Sequence, residues 1–370
     1  MSFEESSLRS NERIAYALRE LYGTYGYSRF KMGKFEEYEL YVRNKDFLAG
    51  DRMITFTDGD GTLLALKPDV TISIIKNIQD ADNGVRKLYY HENVYRTGRG
   101  ETSFREIMQT GLECIGTLDA YQVFEVILLA VKSLKTISPD YMLDLSHMGL
   151  VSGIMVLAGV PEEQYGRVLS CIREKNPTEL AAFCRDYQLS EPSCTLLKLL
   201  IDTYGTIKTV LDLLEPYCTE AQAKTALEEL RVLDRLLTVH GLGDRVQIDF
   251  SVVNDMGYYN GIVFRGFING LADGILSGGR YDKLVEKMGK QFGAIGFAIT
   301  LNELERMMPT RQEYDADVLI LYDEETDLLE LSKQSAALTA KGKQIMVQTV
   351  CGERMRPREI LDLRGKGNAQ

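Results

Sequence analysis

The sequence predicts an α/β (α+β) protein: a mainly antiparallel sheet flanked by helices, with a helical insertion and a small C-terminal βαβ fragment. Three observations carry that expectation. Hairpin patterns around Asp58-Gly59-Asp60-Gly61 and around Gly98 require antiparallel neighbours. From Ser146 to about His240 nearly every stretch has helical period, with turns at Gly159-Val160-Pro161, Asn176-Pro177, Glu191-Pro192 and Glu215-Pro216. After Pro309 the composition resets to strand, helix and strand. The expected division is residues 1–312, with the insertion at about 146–240, and residues 313–370.

Taken in order, Ser6 to Tyr25 carries Ile14, Ala17, Leu18, Leu21 and Tyr25 at helical spacing and stops at Gly26. Tyr27 to Phe30 and Phe35 to Val42 read as short extended segments. Arg52 to Leu66 reads as the first hairpin. Pro68 suits the first turn of the next helix, and Asp69 is favourable near its positive end. Asp69 and Thr71 therefore read first as helix caps. Val85 to Gly116 is a strand, a Gly-rich loop from Thr97 to Ser103, and a returning strand. Gln109 and Glu113 are four apart, so in a strand they share one face. A buried glutamate is costly unless paired, which makes Glu113 a better ligand candidate than a surface acid. Asp119 to Thr136 is a helix, and Tyr141 to Leu145 and Gln247 to Val252 are strands.

Val253 to Met308 organises the rest. Two strands turn near Gly270, Gly278-Gly279 allow a close approach or a turn, GAIGFAI is a short apolar strand, and Asn302 to Met308 opens a helix. Tyr258 and Tyr259, the Gly-Gly-Arg-Tyr-Asp turn and the Gly-rich strand are material for a pocket floor. In the last segment, DADVLILYD is a strand, Glu325 to Lys341 a helix and KQIMVQTV a strand, and the tail from Gly352 is expected to fray.

Composition bounds the function. The chain has 370 residues, 45% hydrophobic and 26% charged, with a net charge of −11. Nucleic-acid binders usually show a basic face, so the acidic total counts weakly against such a partner. No run approaches the ~18 apolar residues of a membrane span, and the N-terminus lacks a signal-peptide apolar core. Six scattered cysteines without a C-x-x-C pair read as thiols in a reducing cytoplasm. Three separated histidines leave little for metal or histidine-based catalysis, so no metal and no cofactor is expected.

The Val253–Met308 pieces in this order resemble histidyl-tRNA synthetase. That family carries Arg-Gly-Leu-Asp-Tyr-Tyr, a Gly-Gly-Arg-Tyr-Asp turn, and a Gly-Phe-Ala strand running into Gly-Leu-Glu-Arg. Tyr258, Tyr259, Gly278, Gly279, Arg280, Tyr281, Asp282, Gly296, Phe297 and Ala298 match. Lys67, Asp69 and Thr71 resemble the family's Arg-Pro-Glu-Gly-Thr, and Val85–Gly116 its second class II motif. The resemblance implies a class II synthetase-like sheet, a motif 1-like N-terminal helix at a homodimer interface, and a truncated anticodon-binding-like fragment at the end. It implies a histidine pocket of Asp69, Thr71, Arg96, Gln109, Glu113, Tyr258, Tyr259 and Tyr281.

The departures lie on the nucleotide side. Gly98 replaces a glutamate that helps seat ATP, Asn254 the catalytic arginine, Gly257 an aspartate and Glu303 the final arginine. Amino-acid activation brings two anions together and depends on preorganised cations. A carboxylate about 4 Å from a phosphate repels it by roughly 1–4 kcal/mol at surface-like dielectrics. A pocket that keeps the amino acid and loses ATP is a sensor, with no catalytic residue. The regulatory subunits of ATP phosphoribosyltransferase, non-aminoacylating paralogues of the synthetase, have that profile. The resemblance implies a hetero-oligomer with the short catalytic subunit, feedback control by histidine, and no tRNA partner. The alternatives are a divergent histidyl-tRNA synthetase or stand-alone histidine-activating enzyme, and a stand-alone histidine-binding regulator.

Overall fold

The structure, a computed structural model, describes residues 10–48, 52–78, 84–97, 103–253, 259–302, 304 and 314–365. The chain divides into two units, Met1–Met308 and Pro309–Gln370. Along the first run α1 (Ser10–Thr24), β1 (Ser28–Arg29), β2 (Phe35–Glu37), α2 (Tyr38–Arg43), β3 (Thr55–Thr57), β4 (Leu63–Leu66), α3 (Thr71–Asn77), β5 (Val85–Thr97) and β6 (Phe104–Gly116). Then come α4 (Ala120–Ile137), β7 (Tyr141–His147), α5 (Met148–Leu157), α6 (Tyr165–Arg173), α7 (Pro177–Asp186), α8 (Glu191–Asp202), β8 (Tyr204–Thr206), α9 (Ile207–Leu214) and α10 (Ala221–Val239). The unit closes with β9 (Val246–Asp249), β10 (Ile262–Ile268), β11 (Leu276–Arg280), α11 (Asp282–Lys287) and β12 (Gly293–Thr300).

Nine strands form one sheet in the order β1-β5-β6-β12-β11-β10-β7-β9-β8. The pairs β1/β5 and β7/β9 are parallel and the rest antiparallel, as the hairpin patterns predict. Alternation splits the strands into two faces. Leu112, Cys114, Phe297, Phe264 and Leu145 join α1, α4 and the helical insertion in one large core. Ile14, Leu18 and Tyr22 present the buried stripe of α1, and the Tyr22 hydroxyl lies 3.0 Å from Ser133 Oγ on α4. Gly266 lets α4 close down, since a Cβ there would lie 2.7 Å from Leu134.

The opposite face carries Glu113, Gly111 and Gln109 of β6, with Gly279 and Gly296 beside them. A second core covers part of it, drawn from Tyr41, Ile72, Ile74, Ile75, Tyr90, Ile115, Tyr281 and Leu284. A small antiparallel sheet, β2-β4-β3, adjoins this core.

The structure departs from the sequence reading in four places. Tyr38–Arg43, expected to be extended, is helical. The insertion contains a strand, β8, whose three residues extend the sheet edge on β9. Of the two alternatives open at Gly278 and Gly279, close approach holds, since both lie inside β11 against neighbouring atoms. The helix after Pro68 opens at Thr71. In the second unit, β13 (Ala316–Leu321), α12 (Leu328–Ala340) and β14 (Ile345–Gln348) are joined by β15 (Pro357–Asp362), where the tail was expected to fray. Val318 and Ile320 of the central β13 give β15 an apolar partner, and both neighbours pair with β13 in parallel. The Gly98 loop, and all of Asn302 to Met308 but two residues, lie outside the described residues.

Helix α4 begins with a capping box, in which the Asp119 carboxylate accepts from Tyr121 N at 2.7 Å and Gln122 N at 3.2 Å. Asp119→Ala leaves those amides without a side-chain acceptor. It should cost about 1 kcal/mol, read as a lower urea midpoint at unchanged slope.

Candidate functional site

Glu113 sits mid-strand in β6, 2% exposed. Thr71 Oγ1, at the start of α3, donates to its Oε1 at 2.7 Å, and the Tyr281 hydroxyl, just past β11, donates to its Oε2. Burial pushes the carboxyl up to about 8, against the pull of the Tyr281 and Thr71 hydroxyls and with help from nearby Asp69. Asp69 is half-buried and raised by burial, partly opposed by the Ile72 amide and the Arg96 charge. Its Oδ1 accepts from Ile72 N at 2.9 Å, so it caps α3 while facing the same space. Burial and the neighbouring Glu113 and Asp69 also raise the Tyr90 hydroxyl well above its usual range.

Missing side chains let the carboxyl and its neighbours pack closely. A Cβ at Gly296, the register partner of Glu113, would lie 1.7 Å from Glu113 Oε2 and 2.4 Å from Leu112 O. A Cβ on Gly111 would meet the Tyr90 hydroxyl at 2.6 Å, and one on Gly279 the Tyr259 ring at 2.5 Å. Three glycines on adjacent strands thus let the Tyr90 and Tyr259 rings and the Glu113 carboxyl lie against bare backbone.

The structure therefore brings Asp69, Thr71, Glu113 and Tyr281 together, with Tyr259 over the neighbouring strand. Arg96 is half-buried on the same face of β5 and acts on Asp69 through its charge. Gln109 is 8% exposed on the Glu113 face. Tyr258, Gly98, Asn254, Gly257 and Glu303 lie outside the described residues. Sequence reasoning missed Tyr90 and the role of Gly111, although Gln109-x-Gly111-x-Glu113 already places all three on one strand face. It also missed the buried ion pair Lys67 Nζ–Glu92 Oε2 at 2.6 Å, which engages Lys67. Among the described residues no group of three or more His, Cys, Asp or Glu could hold a metal.

The sequence profile of the family described as histidyl-tRNA synthetase matches residues 3–304. An ATP phosphoribosyltransferase regulatory subunit of Clostridium kluyveri is 30% identical over 344 residues, which cover 89% of this chain and 87% of that protein. The chain belongs to the ATP phosphoribosyltransferase regulatory subunit family. The fold agrees with that family, whose sheet is that of histidyl-tRNA synthetase. A Bacillus halodurans structure described as an ATP phosphoribosyltransferase regulatory subunit/histidyl-tRNA synthetase superposes with a TM-score of 0.81 at 24% identity, over 96% of this chain and 94% of that one. One chain of an ATP phosphoribosyl transferase complex from Thermotoga maritima shares the fold at a TM-score of 0.62 and 17% identity, over 79% of this chain and 97% of its own. No helix among the described residues of this regulatory subunit relative is long and apolar enough to cross a membrane.

The Glu113 shift has a signed consequence. Its folded pKa lies above the ordinary 4.5, at about 8, so the folded state holds the proton more tightly between those values. Stability from this group is full below pH 4.5 and is lost as pH rises toward 8. Each unit is worth about 1.4 kcal/mol. Glu113→Gln should flatten the loss of stability across that window, measured by urea unfolding at a series of pH values.

Proposed function

We propose that this chain is the non-catalytic regulatory subunit of ATP phosphoribosyltransferase, binding free histidine and mediating feedback control of a separate catalytic subunit. The names of its relatives, and the complex from Thermotoga maritima that shares its fold, support a hetero-oligomer with that catalytic subunit. A homodimer through α1 and the strands after it, a cytoplasmic setting and the absence of a tRNA partner belong to the same reading.

One observation carries the ligand assignment. When Glu113 is ionised, as it is once a donor ligand is bound, Thr71 and Tyr281 each spend their single hydroxyl proton on it, so what they turn to the ligand is lone pairs. A site lined by acceptors and by two acids, Asp69 and Glu113, favours a ligand that brings N–H donors and positive charge. Histidine supplies both, in its ammonium and its imidazole. Asp69, Thr71 and Gln109 hold the ammonium, and Glu113 accepts from one imidazole nitrogen. Tyr258, Tyr259 and Tyr281 flank the ring, and Arg96 faces the carboxylate. Donor and acceptor needs on the two imidazole nitrogens separate histidine from a plain aromatic ring. With Asn254 and Glu303 in place of arginines, the nucleotide half has lost two of the family's cations, while Arg96 remains.

Calorimetric titration tests this. Wild type should release heat with histidine, and Glu113→Ala should weaken binding by about 1–3 kcal/mol by leaving its buried partners unpaired. Because Glu113 is largely protonated in the empty site at neutral pH, binding should also release a fraction of a proton. Repeating the titration in buffers of different ionisation enthalpy reads that release. No heat at millimolar histidine, with and without the catalytic subunit, would sink the assignment. Robust histidine-dependent exchange of pyrophosphate into ATP would instead favour the enzyme.

A further inference from the structure

We propose that Asn260 is a positioning residue that ties the ligand pocket on one face of the sheet to the helical insertion on the other. The inference rests on the ligand reading above and names the path by which occupancy reaches the insertion.

Asn260 is held on three sides by the Arg280–Asp282 segment. Its amide N–H donates to Arg280 O at 3.1 Å. Its Oδ1 accepts from Asp282 N at 2.9 Å, and its Nδ2 donates to Asp282 Oδ2 at 3.1 Å. Asp282 in turn accepts from Arg280 Nε at 2.8 Å and, on Oδ1, from Ala294 N at 2.9 Å. This knot sits where the sheet changes face. Gly279 pairs with Gly296 on the pocket face, whereas Arg280 pairs with Ile295, whose side chain lies in the large helical core. Tyr281, the residue between Arg280 and Asp282, donates to Glu113. Tyr259, the residue before Asn260, lays its ring on Gly279.

The other side of Asn260 leads into the insertion. Gly261 O accepts from Met148 N, the first residue of α5, at 2.9 Å. A Cβ at Gly261 would stand 3.1 Å from Arg280 Cδ, so that strand crossing is tight. His147, 5% exposed, caps α5 by accepting from Gly149 N on Nδ1 at 3.1 Å. Its Nε2 therefore carries the proton, directed at Glu229 Oε2 of α10 at 3.0 Å. Helices α5 and α10 are pressed together, since a Cβ on Gly153 would lie 2.7 Å from Ala223 Cβ. A shift of Tyr259 or Tyr281 on binding thus acts through Asn260 and Gly261 on the start of α5, and α10 follows.

The test is hydrogen exchange, by mass spectrometry, over α5 and α10 of the full chain. Tyr281→Phe perturbs the pocket without any ligand by deleting the bond to Glu113. It should speed exchange at the start of α5 by at least about fivefold, the lower end of ordinary site-to-site coupling. In an Asn260→Ala background the same change should leave α5 unaltered. Equal effects in both backgrounds, or none in either, overturn the proposal. Glu229→Ala is the second variant and keeps the question open to test where Asn260→Ala does not fold. There α5 should still respond to Tyr281→Phe, and α10 should respond less than in wild type, because the packing at Gly153 remains and the bond to His147 does not; an undiminished α10 response overturns the path. Millimolar histidine should slow exchange in both helices of wild type. Failure of histidine to bind would count against the ligand assignment alone, because the Tyr281→Phe comparison uses no ligand.

Discussion

Glu113 lies at the middle of β6 with 2% of its surface exposed, and a carboxyl so placed needs donors and room. Both needs are met from far away in sequence. Thr71 comes from α3 and Tyr281 from the turn after β11. These two hydroxyls pin α3 and α11 to the sheet, so the second core is closed by a polar bond at its centre and by apolar packing around it. Thr71 alone could serve as a helix cap, and Tyr281 alone as core. Their shared acceptor turns them into a site.

The two faces of the sheet follow opposite packing rules. Toward α1 and α4 the strands carry mostly large side chains, with glycine at Gly266, which brings Leu134 closer, and at Gly278, where a Cβ would lie 2.5 Å from Phe297 Cβ. Toward the site, Gly111, Gly279 and Gly296 remove side chains from three neighbouring strands, and the Tyr90 and Tyr259 rings and the Glu113 carboxyl lie against them. A Cβ on any of the three would fall within 2.8 Å of another atom, so this close packing depends on glycine.

The electrostatics of the site are set by two acids, the buried Glu113 and the half-buried Asp69. Asp69 and Glu113 are both raised by burial, and Arg96 is the guanidinium that acts on Asp69. Lys67 looks in sequence like a further cation for the pocket, yet its charge is committed to Glu92. Burial thus disfavours charge on both acids, more strongly on Glu113, where the opposing groups are hydroxyl donors, than on Asp69, where Arg96 partly offsets it.

Much of this molecule was legible from local chemistry. Hairpin turn residues, helical periodicity with Pro stops, and the order of Tyr-Tyr, Gly-Gly-Arg-Tyr-Asp and Gly-Phe-Ala determined the sheet, the insertion and the family, because each is a pattern of near neighbours. The period of two put Gln109 and Glu113 on one face for the same reason. Short elements were less legible: Tyr38–Arg43 and β15 take their form from packing, on the small sheet and on β13, that no local preference records. Gly278 and Gly279 allow a close approach or a turn by type, and only their register against Gly296 and Phe297 decides for strand positions that cannot carry a side chain. The partners of Glu113, the engagement of Lys67 by Glu92 and the Asn260 knot were decided by tertiary structure alone. Each joins residues from 22 to 168 positions apart, and such contacts leave no trace in spacing or composition.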